Sequence, residues 1–160
     1  MHDYIVHNEK EIKGFRENYG FLSNMHECPV WFEGVLYPSS ENAFMAAKTM
    51  DSFIRTQFVS LTPQEAKKLG RKITLRSDWE HVKYEVMSTI VFTKFYQNPD
   101  LRQKLIDTGD AYIEETNHWG DKIWGICDGE GDNRLGKILM NVRRFWSDPS
   151  TRTITQYKLL

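Results

Sequence analysis

Glu41 and Lys48 stand seven residues apart in the stretch Tyr37-Pro38-Ser39-Ser40-Glu41-Asn42-Ala43-Phe44-Met45-Ala46-Ala47-Lys48. That spacing is two turns of an α-helix, and it predicts a carboxylate and an ammonium on one helical face. Pro38 and the paired serines suit a helix start, because a serine hydroxyl accepts from an orphan N–H of the first turn. Every residue between the charged pair except Asn42 is apolar or small, so the helix should be buried around most of its circumference. Burying such charges is costly unless they have partners or a task. Two readings fit: Glu41 and Lys48 complement the two ends of the helix dipole, or they are a reactive carboxylate and amine. Asp121 and Trp124 form a second candidate pair. A loop carboxylate beside an indole can grip a ribose hydroxyl while the ring stacks on a base; the plainer reading is a surface Asp and a core Trp. Trp79 poses the same question.

Helices with a small β element should position these groups. Val30-Trp31-Phe32 and Val35-Leu36-Tyr37 flank Glu33-Gly34, which predicts a two-residue hairpin leading into the Glu41 helix. Thr62-Pro63-Gln64-Glu65 is a capping box with proline at the first helical position, and Gly70 should close that helix. Asp78 should cap a long helix reaching about Gln97, with apolar residues at Val82, Val86 and Ile90 and at Met87, Val91 and Phe95. Asn98-Pro99 ends it and starts the next, which Gly109 terminates. A short strand is expected over 111–115. A last helix starts near Asn133, with Leu135, Ile138, Leu139, Val142 and Trp146 on one face. The fold class is α+β, predominantly helical, a single domain with a small antiparallel β element over 1–160, and the polar tail 149–160 is expected to be loosely held.

Composition narrows the function. The 160 residues carry a formal charge of −1, without the basic footprint of a protein that holds duplex DNA through its phosphates. Five tryptophans offer stacking surface, although aromatic rings are first of all core material. Cys28 and Cys127 show no Cys-x-x-Cys pattern, and no stretch has signal-peptide or membrane-spanning character. A cytoplasmic protein of a reducing compartment, away from membranes, is expected. The five histidines show no ligand pair at helical spacing, and no metal is assigned. A calcium loop begun at Asp128 would need a bidentate glutamate at 139, where Leu139 stands.

From about Phe15 to Trp146 the chain resembles the NADAR family of YbiA-like N-glycosidases. The resemblance rests on Tyr19 through Asn24 (YGFLSN), YPSSENAFMAAK, Leu69-Gly70-Arg71, and Leu75 through Trp79 with Lys83 and Met87. It continues through Lys94-Phe95, Asn98-Pro99, Thr108-Gly109, Asp121 to Gly125, and Asn133 through Gly136 leading into Leu139-Met140. It implies cleavage of an N-glycosidic bond at a ribose C1, with no cofactor. Family substrates include phosphorylated ribosylamino-pyrimidine intermediates of riboflavin synthesis and, in other members, ADP-ribose on guanine in nucleic acid. Matched residue by residue, the family's key glutamate falls on Glu41, its lysine on Lys48, its aspartate on Asp121, its tryptophans on Trp79 and Trp124, and its asparagine on Asn133.

The chemistry agrees with that assignment. Losing a base from ribose builds positive charge at C1 and the ring oxygen, as glycoside cleavage does. A fixed Glu41 carboxylate would stabilise that charge or activate water. Lys48, its pKa lowered by burial, could instead attack C1 to give an imine. Asp121 would hold ribose hydroxyls or act as the second carboxylate, and Trp79 and Trp124 would sandwich the base. Arg71 fits a phosphate ligand, with Arg16 a weaker one, and Asn24 joins the binding residues. The chain departs from the family at Asn42-Ala43, at Met25, and in the acidic loop before Asn133 (Asp128, Glu130, Asp132). An acidic rim favours a small ribosylated nucleotide as partner; nucleic acid enters only if the substrate is ADP-ribosylated guanine. A nucleotide sensor without turnover is the contrasting reading, and no oligomeric state is implied.

Overall fold

The structure is a computed structural model that describes residues 10–151. In chain order these form β1 (Glu11–Lys13), a 3-10 helix (Glu17–Leu22), β2 (Glu27–Phe32), β3 (Val35–Ser39), α1 (Ser40–Ala46), α2 (Ser52–Gln57), α3 (Pro63–Gly70), α4 (Trp79–Gln97), α5 (Pro99–Asp107), β4 (Tyr112–Glu114), β5 (Thr116–Asn117), β6 (Ile126–Cys127) and α6 (Arg134–Ser147). The fold is α+β and predominantly helical, as the sequence predicts. The chain falls into two units: Gly20–Leu101, and the segments on either side of it taken together. The polar tail beyond Thr151 lies outside the described residues. No helix among the described residues is long and apolar enough to cross a membrane.

In the Gly20–Leu101 unit, β2 and β3 pair antiparallel with Val30 opposite Tyr37 and Phe32 opposite Val35. Glu33 and Gly34 turn the hairpin with φ of 45° and 81°, two left-handed residues that match the twist of the flanking strands. The pairing is irregular between Glu27 and Val30, where Pro29 has no N–H to give the ladder. β3 runs straight into α1, whose N-cap Ser39 hydroxyl accepts from the Asn42 N–H at 3.1 Å. Asn42 is buried and satisfied, donating to the carbonyls of Phe58 and Leu61.

Three expectations need correction here. First, α1 ends at Ala46, so Lys48 sits in the turn beyond it and not in its last turn. The chain tightens there, with the Lys48 N–H donating to Met45 O at 3.2 Å and the Thr49 N–H to Ala46 O at 3.3 Å, while the Arg76 N–H donates to Lys48 O and Arg55 Nε to Thr49 O, both at 2.7 Å. Second, Gly70 is the last helical residue of α3 and does not terminate it by a left-handed turn. Its lack of a side chain answers a close approach, since a β-carbon there would lie 2.2 Å from Met45 Sδ. Third, Asp78 stands at the N-cap of α4 but makes no side-chain cap, because Arg76 holds both its oxygens, at 2.6 and 2.9 Å. The capping box of Thr62 and Glu65 forms as expected.

The core of this unit gathers Leu22, Val30, Tyr37, Ala43, Phe58, Met87, Ile90 and Phe95. On α4 the buried face carries Met87, Ile90, Val91 and Phe95 but also Lys94, while Val82 and Val86 are only partly covered.

In the other unit, β1 and β4 pair in parallel with Ile12 opposite Ile113, and β5 and β6 form a second short parallel pair. Neither pair follows from local periodicity; only the strand over 112–114 was predictable. α6 buries Leu135, Leu139, Val142 and Trp146, close to its expected face. Arg102 stacks its guanidinium over the Trp146 ring at 4.5 Å. Gly136 meets β4 so closely that a β-carbon would stand 2.2 Å from the Ile113 carbonyl oxygen. Gly109 takes φ 65° just past α5, the left-handed C-terminal position where glycine is favoured.

Candidate active site

Glu41 occupies the first turn of α1, partly buried, and its N–H donates to the carbonyl of Asn24 at 2.9 Å. The 23–24 corner is thereby tied to the helix that carries the carboxylate. Asn24 itself reaches α4, its side-chain N–H lying 3.4 Å from Met87 Sδ. Lys48 is half-buried with Nζ 3.4 Å from the Gly70 carbonyl at the end of α3. Burial lowers its pKa below the ordinary lysine value and the Arg71 guanidinium lowers it further, while the Glu41 carboxylate pulls it back up. Glu41 and Arg71 therefore each act on Lys48 electrostatically, in opposite directions. Arg71 is exposed and Lys48 covered, a division that suits a binding cation and a reactive amine.

Gly70 links these groups to packing. Gly70→Ala should push Met45 out of the α1–α3 contact and cost about 1–3 kcal/mol of stability, the usual range for overpacking. Chemical denaturation would measure it, and an unchanged midpoint would mean that Met45 repacks without loss.

Trp79 is buried at 6% exposure, its ring tilted at 52° against Phe44 with centroids 5.1 Å apart. It braces α1 from the start of α4 and presents little surface on which a base could stack. An open cleft of about 960 Å³ is lined by Thr49, Met50, Lys72, Leu75, Arg76 and Asp78 among others, and by none of Glu41, Lys48, Arg71 and Trp79. Thr49 is the immediate neighbour of Lys48.

Asp121, Trp124 and Asn133 belong to the other unit. Asp121 Oδ1 accepts the N–H groups of Ile123 and Trp124, at 3.0 and 2.9 Å, so the carboxylate shapes the loop that carries the indole. Trp124 is partly exposed. Asn133 has φ 50° and is 2% exposed, with Oδ1 accepting the Glu115 N–H and Nδ2 donating to the Ile113 carbonyl and the Tyr112 hydroxyl. Its amide is committed to holding β4 at the head of α6. The acidic loop is partly neutralised, since Glu130 pairs with Lys122 at 2.8 Å and Asp132 with Arg134 at 3.7 Å.

Two residues received no site role from the sequence, one of them present only in the Lys94-Phe95 family motif. Asn117 clamps the loop on both sides, accepting the Asp121 N–H at 3.0 Å and donating to the Asp121 carbonyl at 2.8 Å and the Ile126 carbonyl at 3.2 Å. An Asx residue four positions ahead of a candidate site aspartate was the available signal. Lys94 is the other. It is 1% exposed, donates to the carbonyls of Phe21 and Ser23 at 2.6 and 3.0 Å, and burial lowers its pKa from 10.5 to about 8. Between those two values the unfolded chain binds a proton that the folded chain does not, so the Lys94 contribution to stability rises with pH. The gain should approach about 3 kcal/mol by pH 10.5. Denaturation of wild type and Lys94→Met at pH 7.5 and 10.5 isolates it, and a difference that does not change with pH would contradict the burial.

The chain matches the NADAR domain over residues 8–146. The chain belongs to the NADAR family. It is 37% identical over 147 residues to a riboflavin biosynthesis protein of Vibrio vulnificus, covering 88% of this chain but only 39% of that protein. It is 36% identical over 131 residues to N-glycosidase YbiA of Escherichia coli, covering 79% of this chain and 81% of YbiA. The NMR structure of the Escherichia coli protein YbiA superposes with a TM-score of 0.76 at 32% identity, over 94% of this chain and 89% of that one.

Proposed function

We propose that this protein is an N-glycosidase that hydrolyses the bond between ribose C1 and nitrogen in a small ribosylated nucleotide-like metabolite, of the phosphorylated ribosylamino-pyrimidine type. The observation that carries the reading is the half-buried Lys48, its pKa lowered, within electrostatic reach of Glu41 at the positions the family resemblance singles out. The relatives named N-glycosidases support it.

In the reaction the C1–N bond breaks with its electron pair leaving on nitrogen, which takes a proton, and water finally supplies the hydroxyl at C1. Glu41 stabilises the positive charge that grows at C1 and the ring oxygen. Lys48 in its neutral form attacks C1, and the resulting imine is hydrolysed by water. In the single-step alternative Glu41 activates the water directly, and Lys48 serves as an ammonium beside the departing nitrogen. Arg71 takes the phosphate and Asn24 contributes polar contacts, while the roles of Asp121 on ribose hydroxyls and of Trp124 as a stacking face are those the family resemblance implies. Trp79 and Asn133, buried and engaged as described, act by holding their surroundings. The cleft beside Thr49 has the size of a small-molecule site. A cytoplasmic setting, where such metabolites occur, belongs to the same reading.

The test pairs a ribosylamino-pyrimidine phosphate with ADP-ribosylated guanine in single-stranded DNA. Faster release of the free pyrimidine supports the reading, whereas preference for the modified DNA would make the protein an ADP-ribosyl hydrolase of nucleic acid. Nucleotide binding without release from either substrate would leave a sensor.

A further inference from the structure

Lys94 is a buried cation with no carboxylate within ion-pairing distance among the described residues. Its two close acceptors are the main-chain carbonyls of Phe21 and Ser23. Desolvating an ammonium for two neutral acceptors is a poor exchange for stability alone, because an apolar residue there would avoid the charge entirely. The acceptors themselves show what is gained. Phe21 and Ser23 bracket the end of the 3-10 helix and the corner after it, where the Ser23 N–H donates to Gly20 O at 3.1 Å and Ser23 O also receives the His26 N–H at 3.2 Å. The next residue, Asn24, gives its carbonyl to the Glu41 N–H at 2.9 Å. Two hydrogen-bonded links joined by the Ser23–Asn24 backbone therefore connect Lys94 on α4 to the first turn of α1. Burial raises the thiol pKa of Cys28 on the neighbouring strand, and Lys94 is close enough to oppose part of that rise.

We propose that Lys94 is a positioning residue for the reaction: it fixes the Phe21–Asn24 corner, and through the Asn24 carbonyl it fixes the helix turn that aims the Glu41 carboxylate. This rests on the N-glycosidase reading for its catalytic consequence but not for its structural one. A positioned carboxylate acts on charge that exists only in the transition state, so misplacing it lowers kcat more than it raises KM.

The experiment compares wild type, Lys94→Met, which removes the donors, and Lys94→Gln, which keeps two N–H donors without the charge. Amide hydrogen exchange at Glu41 is read beside steady-state turnover of the ribosylamino-pyrimidine phosphate. In Lys94→Met the Glu41 amide should exchange at least about tenfold faster while the amides of mid-α4 keep their protection, as expected for local opening. The same variant should lose about 10²-fold in kcat with KM within a few-fold, the size of effect that follows a small misplacement. Lys94→Gln should fall between the two, and if Lys94→Met does not fold, the Lys94→Gln exchange and kcat decide alone. Wild-type exchange at Glu41 with wild-type kcat in the variants overturns the proposal, as does a loss of stability spread evenly over all amides. If wild type turns nothing over, the N-glycosidase reading fails, and the Glu41 exchange still decides whether Lys94 holds the corner.

Discussion

Glu41→Gln should leave a folded protein that binds substrate nearly as wild type does and turns it over about 10²–10³ times more slowly, the loss seen when one electrostatic stabiliser of a transition state is removed. The amide keeps the volume of the side chain and its place in the first turn of α1, and the N–H to the Asn24 carbonyl belongs to the backbone, so the fold keeps its support. What disappears is the negative charge opposite a developing oxocarbenium ion, which matters in the transition state and little in the ground state. Steady-state kinetics give the split directly. A raised KM with unchanged kcat would make Glu41 a binding residue and remove it from the chemistry.

Lys48→Met should cost about 10²–10⁴-fold in kcat, as losing a group that handles the proton or forms the intermediate does. The physical cause is already visible in the fold: burial and Arg71 both favour the neutral amine, against Glu41. An amine that attacks C1 must be unprotonated, so on the imine route kcat rises with pH and levels off above the lowered pKa of Lys48. On the single-step route the ammonium is the useful form, and kcat falls over the same interval. Borohydride added during turnover separates the routes a second way, since it reduces an imine to a stable secondary amine on Lys48. A mass increase of the protein that maps to Lys48 and is absent in Lys48→Met fixes the imine route; no adduct, with a falling pH profile, fixes the other.

Local chemistry explains how much of this was legible in the sequence. The hairpin at Glu33-Gly34, the capping box at Thr62 and Glu65, and the stop at Gly109 each declare themselves within four residues, and each forms as read. Glu41, Lys48 and Asp121 were singled out because charge in apolar or glycine-punctuated surroundings stands out, and the family resemblance made them site candidates. The misses lie where the decisive partner is remote in sequence. Lys48 lies past the helix, where the chain tightens to i→i−3 bonds and Arg76 and Arg55 hold the Lys48 and Thr49 carbonyls. Gly70 reads as a helix stop but answers to Met45, and Asp78 reads as a cap but answers to Arg76. The parallel pairs of β1 with β4 and β5 with β6 are too short to show a periodicity. Asp128-Gly129 is a two-residue turn with φ of 52° and 77°, closed by paired hydrogen bonds between Cys127 and Glu130, in the loop whose calcium reading the sequence already sets aside at Leu139. Lys94 stands in the Lys94-Phe95 family motif, but its role is not legible there because its acceptors lie 71 and 73 residues away.

The most direct test of the central claim is the stoichiometry of bond cleavage. A ribosylamino-pyrimidine phosphate is incubated with wild type and with Glu41→Gln, and the free pyrimidine and the new reducing end of the ribose phosphate are quantified over the same time course. An N-glycosidase releases the two in equal amounts with wild type, at a rate lowered about 10²–10³-fold by Glu41→Gln. Pyrimidine and reducing sugar that fail to appear together with wild type, or that appear equally fast with Glu41→Gln, would contradict the account.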